Sequence, residues 1–446
     1  MTNFSKVIKR SGTIVPFKKN RIMNAIYRAA VSVGGRDKKL AEQLSTEVIE
    51  LLENKYEHNH ILHIEEIQDA VEKVLIENGH AQVAKEFILY RDERNRKRKE
   101  DAKFDSKPDE NIPWPKMWRT LDWASSKNLA TISDYNSRIQ NSEFPQIVHE
   151  SEAAYEDDLD MAAQMIVERS ADLRMVFISG PSSSGKTTTT IKIEERLKKH
   201  GFNFATLNVD HYFFDLEDHP KDEFGDYDFE TPQALDLELI NKHLLALSHG
   251  DEVKIPFYDF KEGKRYLDRT DMRLNENEII LVDSLHGLYP DFSKDISNEV
   301  KFKIYIEPIL QMKDEENKYI QWTDIRLMRR MLRDSVHRAY DPLQTLEHWH
   351  YVRSSELRNI IPYANSADFI VNSAMPYELS LYKPKLYDQF KEWVEKFKDS
   401  PLKKDAFVRA DRVANFMENI IPVEDDSPVP KDSVLREFIG GSVLEY

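Results

Sequence analysis

Cysteine is absent from this sequence of 446 residues. Disulfide bonds, thiolate metal sites and a cysteine nucleophile are therefore excluded, and the absence is consistent with a reducing compartment. Long hydrophobic runs are lacking as well, since none approaches the roughly 18 apolar residues of a membrane-spanning helix. The N-terminal stretch MTNFSKVIKRSG has no apolar core of the kind found in secretory signals. These absences predict a cytoplasmic protein without a membrane partner.

An excess of basic residues is also missing. The chain has 63 Lys and Arg against 79 Asp and Glu, a formal net charge of -16 at pH 7. Binding to a nucleic-acid backbone depends on a cationic surface, so this balance predicts no nucleic-acid partner. The charge run RDERNRKRK at 91–99 is interpreted as a solvated helix end, with nucleic-acid binding as the less favoured alternative.

A stretch rich in glycine and serine lies near the middle of the chain. Residues 175–190 read MVFISGPSSSGKTTTT, a strand-like segment that leads into the pattern Gly-x4-Gly-Lys-Thr and then into a helical pattern. Small residues let backbone N–H groups surround phosphate oxygens, Lys186 neutralises the β- and γ-phosphates, and the Thr187 hydroxyl can ligate Mg²⁺. A chance turn is the alternative. The predicted nucleotide-binding residues are Gly180, Ser182, Ser183, Ser184, Gly185, Lys186, Thr187 and Thr188.

Strands and helices alternate after this loop, which predicts an α/β fold with a doubly wound parallel sheet. The predicted strands are 175–178, 204–210, 278–285, 301–308 and 367–373. Ligands bind beyond the carboxyl ends of such strands, and this rule brings together the loop, Asp210 and Asp283. Asp210 can accept a proton from a substrate hydroxyl, and Asp283 can join Thr187 as a ligand of Mg²⁺. The alternative for each carboxylate is a helix cap or a turn.

The first hundred residues follow a different pattern, with two short strands around Ser11-Gly12 and then four helical segments. This region resembles the ATP-cone, a small, mainly helical nucleotide-sensing domain. The resemblance implies an effector site for ATP or dATP, in which Lys9, Arg10 and Arg21 hold the phosphates. A helical domain with a basic rim is the alternative. The residues that carry the resemblance are Val7, Lys9, Arg10, Gly12, Pro16, Phe17, Arg21, Ile22, Ile67, Gln68, Asp69, Val71, Glu72, Gly79, Ala84, Lys85, Tyr90 and Arg91.

Two further motifs follow Asp210 in order. Residues 226–236 read DYDFETPQALD, and residues 250–260 read GDEVKIPFYDF. Together with the loop they resemble the uridine kinase and phosphoribulokinase family of P-loop kinases, over 176–372. The resemblance implies Mg²⁺-dependent phosphoryl transfer from ATP, with Asp210 as general base. It also implies that aromatic residues line a nucleoside pocket; plain core packing of these residues is the alternative. The predicted substrate-binding residues are Phe229, Glu230, Tyr258, Phe260, Arg265 and Arg326.

Helical spacing places Arg326, Arg330 and Arg333 on one face of the segment 324–341. A cationic helix over a phosphate loop neutralises the transferring group and excludes water, so this helix is predicted to be a lid. The predicted catalytic residues are therefore Asp210, Lys186, Arg333 and Arg338. A solvated basic helix is the alternative.

Three positions depart from the family pattern. Gly263 stands where uridine kinases tend to carry a histidine that reads the pyrimidine, Glu230 stands where they have aspartate, and Tyr340 stands where a second lid arginine is expected. The sugar side of the acceptor site is thus better preserved than the base side, which leaves a changed acceptor as an open alternative.

These patterns predict four regions: an ATP-cone over 1–100, a linker and helical connector over 101–174, a kinase domain over 175–376 and a C-terminal helical appendage over 377–446. The predicted function is transfer of a phosphoryl group from ATP to a small-molecule hydroxyl, with uridine or cytidine favoured, in a homo-oligomer regulated through the ATP-cone. The alternatives are a kinase of 2-phosphoglycerate or a phosphosugar, and a nucleotide-responsive regulator that transfers nothing.

Overall fold

The computed structural model describes residues 4–8, 14–56, 61–88, 112–220, 229–275, 278–337, 341–400 and 403–445. Lys9, Arg10, Arg338, Tyr340 and the charge run at 91–99 lie outside these residues, as does the start of the DYDF motif. The chain divides into two compact units, Met1–Ile112 and Pro113–Tyr446. Within the described ranges, no helix has both the length and the apolar character needed to cross a membrane.

The first unit packs a small sheet against helices. Strand β1 (Lys6–Ile8) pairs antiparallel with β2 (Ile14–Pro16) and parallel with β3 (Leu62–His63), a short strand that the sequence did not predict. Apolar residues at helical spacing line one side of each helix and meet in a single cluster. The helices are α1 (Lys19–Ser32), α2 (Lys38–Lys55) and α3 (Ile64–Glu77), followed by helical residues at 81–88.

The second unit is built on a parallel sheet of five strands in the order β10-β9-β4-β8-β5. Strand β4 is buried along its whole length, as expected when helices cover both faces of a parallel sheet. The five predicted strands and their parallel arrangement are confirmed. The strands are β4 (Met175–Ser179), β5 (Asn203–Thr206), β8 (Glu278–Ser284), β9 (Lys301–Glu307) and β10 (Phe369–Asn372).

Helices before β4 and after β10 share one core with this sheet. Residues from the segments before β4 and after β10 belong to the same hydrophobic cluster as β4 and β9. Buried polar contacts join those two segments, since the Tyr135 hydroxyl lies 2.5 Å from that of Ser380. The described helices of the second unit are α4 (Trp114–Ser126), α5 (Ile132–Gln140), α6 (Phe144–Glu168), α7 (Lys186–Lys199), α8 (Leu237–Ser248), α9 (Trp322–His337), α10 (Pro342–Asn359), α11 (Glu378–Phe397), α12 (Lys404–Glu418) and α13 (Arg436–Ile439).

A hairpin of β6 (Val253–Asp259) and β7 (Lys264–Met272) stands apart from the main sheet. Gly263 closes it with φ +65°, and a Cβ atom at this position would lie 2.9 Å from the Cβ of Leu216. Both the left-handed backbone and the lack of space require glycine here. A histidine at position 263 would not fit, so the departure from the uridine kinase pattern has a structural cause.

Candidate active site

The phosphate loop joins β4 to α7. Gly180 has no room for a side chain, because a Cβ atom would lie 2.3 Å from the Ile306 carbonyl oxygen. Ser183 and Gly185 adopt positive φ angles of +59° and +91°, which turn the chain into the first turn of α7. The buried hydroxyls of Ser183 and Ser184 have no hydrogen-bond partner among the described residues. A loop of this shape, with unused donors before a helix N-terminus, is suited to binding phosphate.

A buried arginine of α9, Arg326, contacts this loop. Arg326 is fully buried, and its guanidinium donates to both oxygens of Glu356, lies 3.2 Å from a Glu307 oxygen, and donates to the Ser182 carbonyl at 3.1 Å. The sequence predicted that Arg326 binds substrate. A guanidinium without solvent exposure and with two carboxylate partners instead positions the loop. Arg329 is buried in the same way against Glu378.

The C-terminal segment also contacts the loop, which the sequence gave no reason to expect. Glu437 in α13 is buried, and its Oε2 accepts hydrogen bonds from the Thr188 hydroxyl at 2.8 Å and from the Thr188 backbone N–H at 3.4 Å. Val434 packs so closely against Gly185 that a Cβ atom at this glycine would lie 2.4 Å from Val434 Cγ2. A segment some 250 residues away along the chain therefore completes the surroundings of the loop.

Charges of both signs meet at Lys186. Its amino group donates to the Pro181 carbonyl at 3.1 Å. Burial lowers the pKa of Lys186, while Asp283 and Glu437 raise it. Burial raises the pKa of Asp283 to about 6; Lys186 opposes this, and Glu437 and Asp210 add to it. The site thus carries more negative than positive groups around one lysine.

This surplus of carboxylates bears on the predicted magnesium ion. Thr187 and Asp283 offer hard oxygen donors, which Mg²⁺ prefers, and a divalent cation would relieve the repulsion among the acidic groups. No group of three or more His, Cys, Asp or Glu residues in the described part of the chain could hold a metal by itself. Thr187 and Asp283 thus suit Mg²⁺ by the chemistry of their oxygen atoms.

Asp210 lies on a 3₁₀ turn (Val209–Tyr212) beyond β5, where the Asn208 side chain caps its backbone N–H at 3.0 Å. Its carboxylate is exposed, yet the surrounding protein disfavours its charged form, so the pKa of Asp210 is raised, with His211 opposing the shift. The sequence predicted Asp210 as the general base, and that role stays a prediction here.

An aromatic pocket lies next to this turn. The Phe213 ring contacts Phe229, Tyr258 and Phe260 at centroid distances of 5.9, 5.7 and 6.3 Å. The ring of His219 lies 4.7 Å from that of Phe229. Tyr258 is buried, while Phe229 and Phe260 are 42% and 62% exposed. The three predicted aromatic residues therefore come together with Phe213 and His219, and two of them, Phe229 and Phe260, stay partly exposed.

Half-buried arginines of α9 face the loop and the pocket. Arg330 donates to the Ser182 hydroxyl at 3.1 Å and to Glu230 at 3.3 Å, so it links the loop to the predicted acceptor side. Arg333 donates to its neighbour Asp334 at 3.1 Å and lies close enough to Lys186 to lower the pKa of that lysine. The sequence placed Arg330 on this face without assigning it a role.

The other predicted binding residues are placed as follows. Arg265 pairs with Asp236 at 2.8 Å, its backbone N–H donates to Asp215 at 2.7 Å, and its guanidinium lies 5.0 Å from the Phe214 ring. These contacts hold the hairpin against the segment that follows the Asp210 turn and against the start of α8. In the first unit, Arg21 is exposed in the first turn of α1.

Comparison with known proteins gives the same assignment for both units. Residues 175–379 match the family model of the phosphoribulokinase / uridine kinase family, and residues 5–96 match that of the ATP cone domain. A uridine kinase of Borrelia duttonii (strain Ly) is 30% identical over 211 residues, which are 47% of this chain and 91% of the relative. A uridine kinase of Deinococcus deserti is 26% identical over 198 residues, 44% of this chain and 86% of the relative.

Among solved structures, D-glycerate 3-kinase from Cryptococcus neoformans covers 45% of this chain and 87% of its own, with 12% identity and a TM-score of 0.32. A score of this size supports no conclusion about the acceptor. The sequence relatives, the parallel sheet and the loop agree with one another, and the chain belongs to the phosphoribulokinase / uridine kinase family, with an ATP cone domain ahead of the kinase domain.

Proposed function

We propose that this kinase transfers the γ-phosphoryl group of ATP to a hydroxyl group of a pyrimidine nucleoside, uridine or cytidine. The observation that carries the proposal is the position of Asp210 between the charge cluster of Lys186 and Asp283 and the aromatic pocket. His211 accepts the Tyr258 backbone N–H at 3.3 Å, so the turn that carries Asp210 and the strand that carries the pocket are joined directly.

The side chains divide the chemistry among them. Lys186 and the loop amides hold the β- and γ-phosphates, while Thr187 and Asp283 would hold Mg²⁺, which supplies charge neutralisation when bound. Asp210 accepts the proton of the acceptor hydroxyl, and its raised pKa makes it a stronger base than an ordinary aspartate. Arg333, together with Arg330 and the predicted Arg338, steadies the charge on the moving phosphoryl group.

The charge of the pocket favours an acceptor without a phosphate group. Each described arginine near it already has a carboxylate partner: Arg265 has Asp236, Arg330 has Glu230, and Arg333 has Asp334. A phosphorylated acceptor would have to draw one of these arginines away from its partner. The exposed faces of Phe229 and Phe260 offer stacking surfaces for a flat ring instead.

One observation favours a second acceptor class. Gly263 supplies no side chain where uridine kinases tend to carry the pyrimidine-reading histidine, and Leu216 occupies the space beside it. This weakens the case for base recognition and keeps 2-phosphoglycerate or a phosphosugar as candidate acceptors. Coupled-assay turnover on a panel of nucleosides and phosphorylated acceptors separates the two. Turnover only with phosphorylated compounds would replace uridine and cytidine by that class.

A regulator that binds ATP without transferring it is the remaining alternative. It requires that Asp210→Asn leave the biological activity of the protein intact while Lys186→Ala abolishes it. Retention of Lys186, Thr187, Asp210 and Asp283 speaks for transfer. We also propose that the ATP cone domain binds ATP or dATP as an effector through Lys9, Arg10 and Arg21 and so adjusts kinase activity.

A further inference from the structure

The C-terminal segment 430–440 places a carboxylate against the phosphate loop. Glu437 accepts hydrogen bonds from both the backbone N–H and the hydroxyl of Thr188, the third residue of α7. A backbone N–H in the first turn of a helix together with an adjacent hydroxyl forms a donor pair suited to an anion. In this structure the anion is a side chain of the protein itself.

Close packing fixes the position of Glu437. Val434, Leu435 and Phe438 are fully buried, and the Arg329 guanidinium lies 5.0 Å from the Phe438 ring. The Ser433 hydroxyl donates to Glu152 at 2.5 Å. The residues on both sides of Glu437 are therefore buried, and their packing restricts the movement of its carboxylate.

The position of this carboxylate conflicts with a bound polyphosphate. Two anions that share the donors of Thr188 repel each other strongly at such short range, because little solvent screens them in a buried site. Glu437 also lies within electrostatic reach of Lys186 and Asp283, and it affects the pKa of both residues. Lys186 is the residue that the nucleotide phosphates need most.

We propose that the Glu437 carboxylate competes with the nucleotide for Thr188 and makes segment 430–440 an autoinhibitory element of the donor site. Nucleotide phosphates must displace the carboxylate, and the segment is loosened when they do. The inference rests on the proposed function only in that the loop binds a nucleoside triphosphate; it does not depend on the acceptor.

The test compares nucleotide binding to the full chain and to Glu437→Gln, which keeps the shape of the side chain and removes its charge. We expect Glu437→Gln to bind ATP about tenfold more tightly, within the 5- to 150-fold range of ordinary coupling between sites. Binding of adenosine, which has no phosphate, should not change. Glu424→Gln makes the same chemical change at an exposed position of the C-terminal region and should bind ATP like the unaltered chain.

Two results would overturn the proposal. Weaker ATP binding by Glu437→Gln would make Glu437 a group that positions Thr188, and unchanged binding would mean that it does not compete. Hydrogen exchange of the unaltered protein provides a second measurement that needs no variant. ATP should slow exchange at 180–188 and speed it at 430–440, and slowed exchange in both segments would contradict the proposal. Since these measurements follow ATP binding, a failure to phosphorylate nucleosides would leave them interpretable.

Discussion

At the scale of single residues, the proposed reaction depends most directly on Asp210 as its general base. Asp210 is exposed and its carboxylate makes no hydrogen bond with other described side chains, whereas Arg326, Arg329 and Glu356 are buried and held in ion pairs. A group that is left open at the end of the sheet, with a raised pKa, has the properties required of a base rather than of a structural support.

Replacement of Asp210 should therefore affect catalysis and leave binding intact. We expect Asp210→Asn to lower kcat by about 10²- to 10⁴-fold, the usual contribution of a positioned base, with little change in the dissociation constant for ATP. Steady-state kinetics and direct ATP binding measure the two effects. Asp218→Asn, at an exposed position in the same loop, is the control and should keep full activity. Loss of ATP binding in Asp210→Asn would assign this residue to the donor site.

The hairpin glycine gives a second test at this scale. Gly263→Ala should lower the melting temperature more than Gly250→Ala, although both glycines have positive φ angles of +65° and +80°. The strain of a left-handed residue, about 1–2 kcal/mol, is common to both variants. Only at position 263 does the new Cβ atom also collide, with Leu216, since nothing lies within 4 Å of Gly250. Equal melting temperatures would show that the loop around Leu216 moves aside.

At the scale of elements, α9 carries both fully buried and partly exposed arginines on one helix. Arg326 and Arg329 are fully buried under the loop, whereas Arg330 and Arg333 remain partly exposed beside it. The buried arginines are neutralised by Glu356 and Glu378 from α10 and α11. The arginines that the sequence places together on this helix therefore differ in burial. Arg326 and Arg329 are buried in ion pairs, whereas Arg330 and Arg333 are exposed enough to meet a phosphoryl group.

This division predicts that Glu356→Gln destabilises the protein. The variant leaves the buried Arg326 charge with only Glu307 as a carboxylate partner. We therefore expect the free energy of unfolding to fall by about 3 kcal/mol. Burial opposes the shift, but Arg326 and Arg353 hold the pKa of Glu356 below its ordinary value of 4.5. Its stabilising contribution is therefore present above pH 4.5 and is lost as the pH falls through the lower folded-state pKa.

Thermal unfolding of the Glu356→Gln variant at pH 7 and at lower pH values measures both effects. The difference in stability from the unaltered chain should be largest near pH 7 and should shrink in acid. Glu316→Gln removes a carboxylate from an exposed pair with Lys318 and should leave the melting temperature unchanged. A difference that stays constant down to pH 3 would mean that Glu356 is not held as a carboxylate by the arginines.

The parts of this site that the sequence predicts are those set by local pattern. The loop motif and the apolar strands specify β4, α7 and the parallel sheet, because helical covering of both faces makes such strands continuously hydrophobic. The burial of Arg326 could not be predicted from local pattern, because its partners Glu307 and Glu356 lie 19 and 30 residues away along the chain. The contact of Glu437 with Thr188 spans 249 residues and leaves no local signal.

At the scale of the whole molecule, two nucleotide-type domains occur in one chain. The ATP cone match covers 5–96 and the kinase match covers 175–379, in the units Met1–Ile112 and Pro113–Tyr446. The second unit contains the loop, Asp210, the aromatic pocket and the C-terminal segment, together with its own hydrophobic core. Since the proposed catalytic residues all belong to the second unit, we propose that the ATP cone domain changes the rate or the assembly of the second unit.

A chain that begins at Pro113 tests this coupling. We expect it to keep its kcat at a fixed ATP concentration, because the complete site lies in the second unit, and to lose the dependence of activity and of oligomer size on added dATP or on high ATP. Linkage requires any such effector to change its own affinity when substrate binds. Kinetics and light scattering of both chains across ATP and dATP concentrations measure the effect, and Arg21→Ala in the full chain, at an exposed position of α1, should reproduce the loss. Identical kinetics and identical oligomer size for the two chains at every nucleotide concentration would show that the two sites are independent.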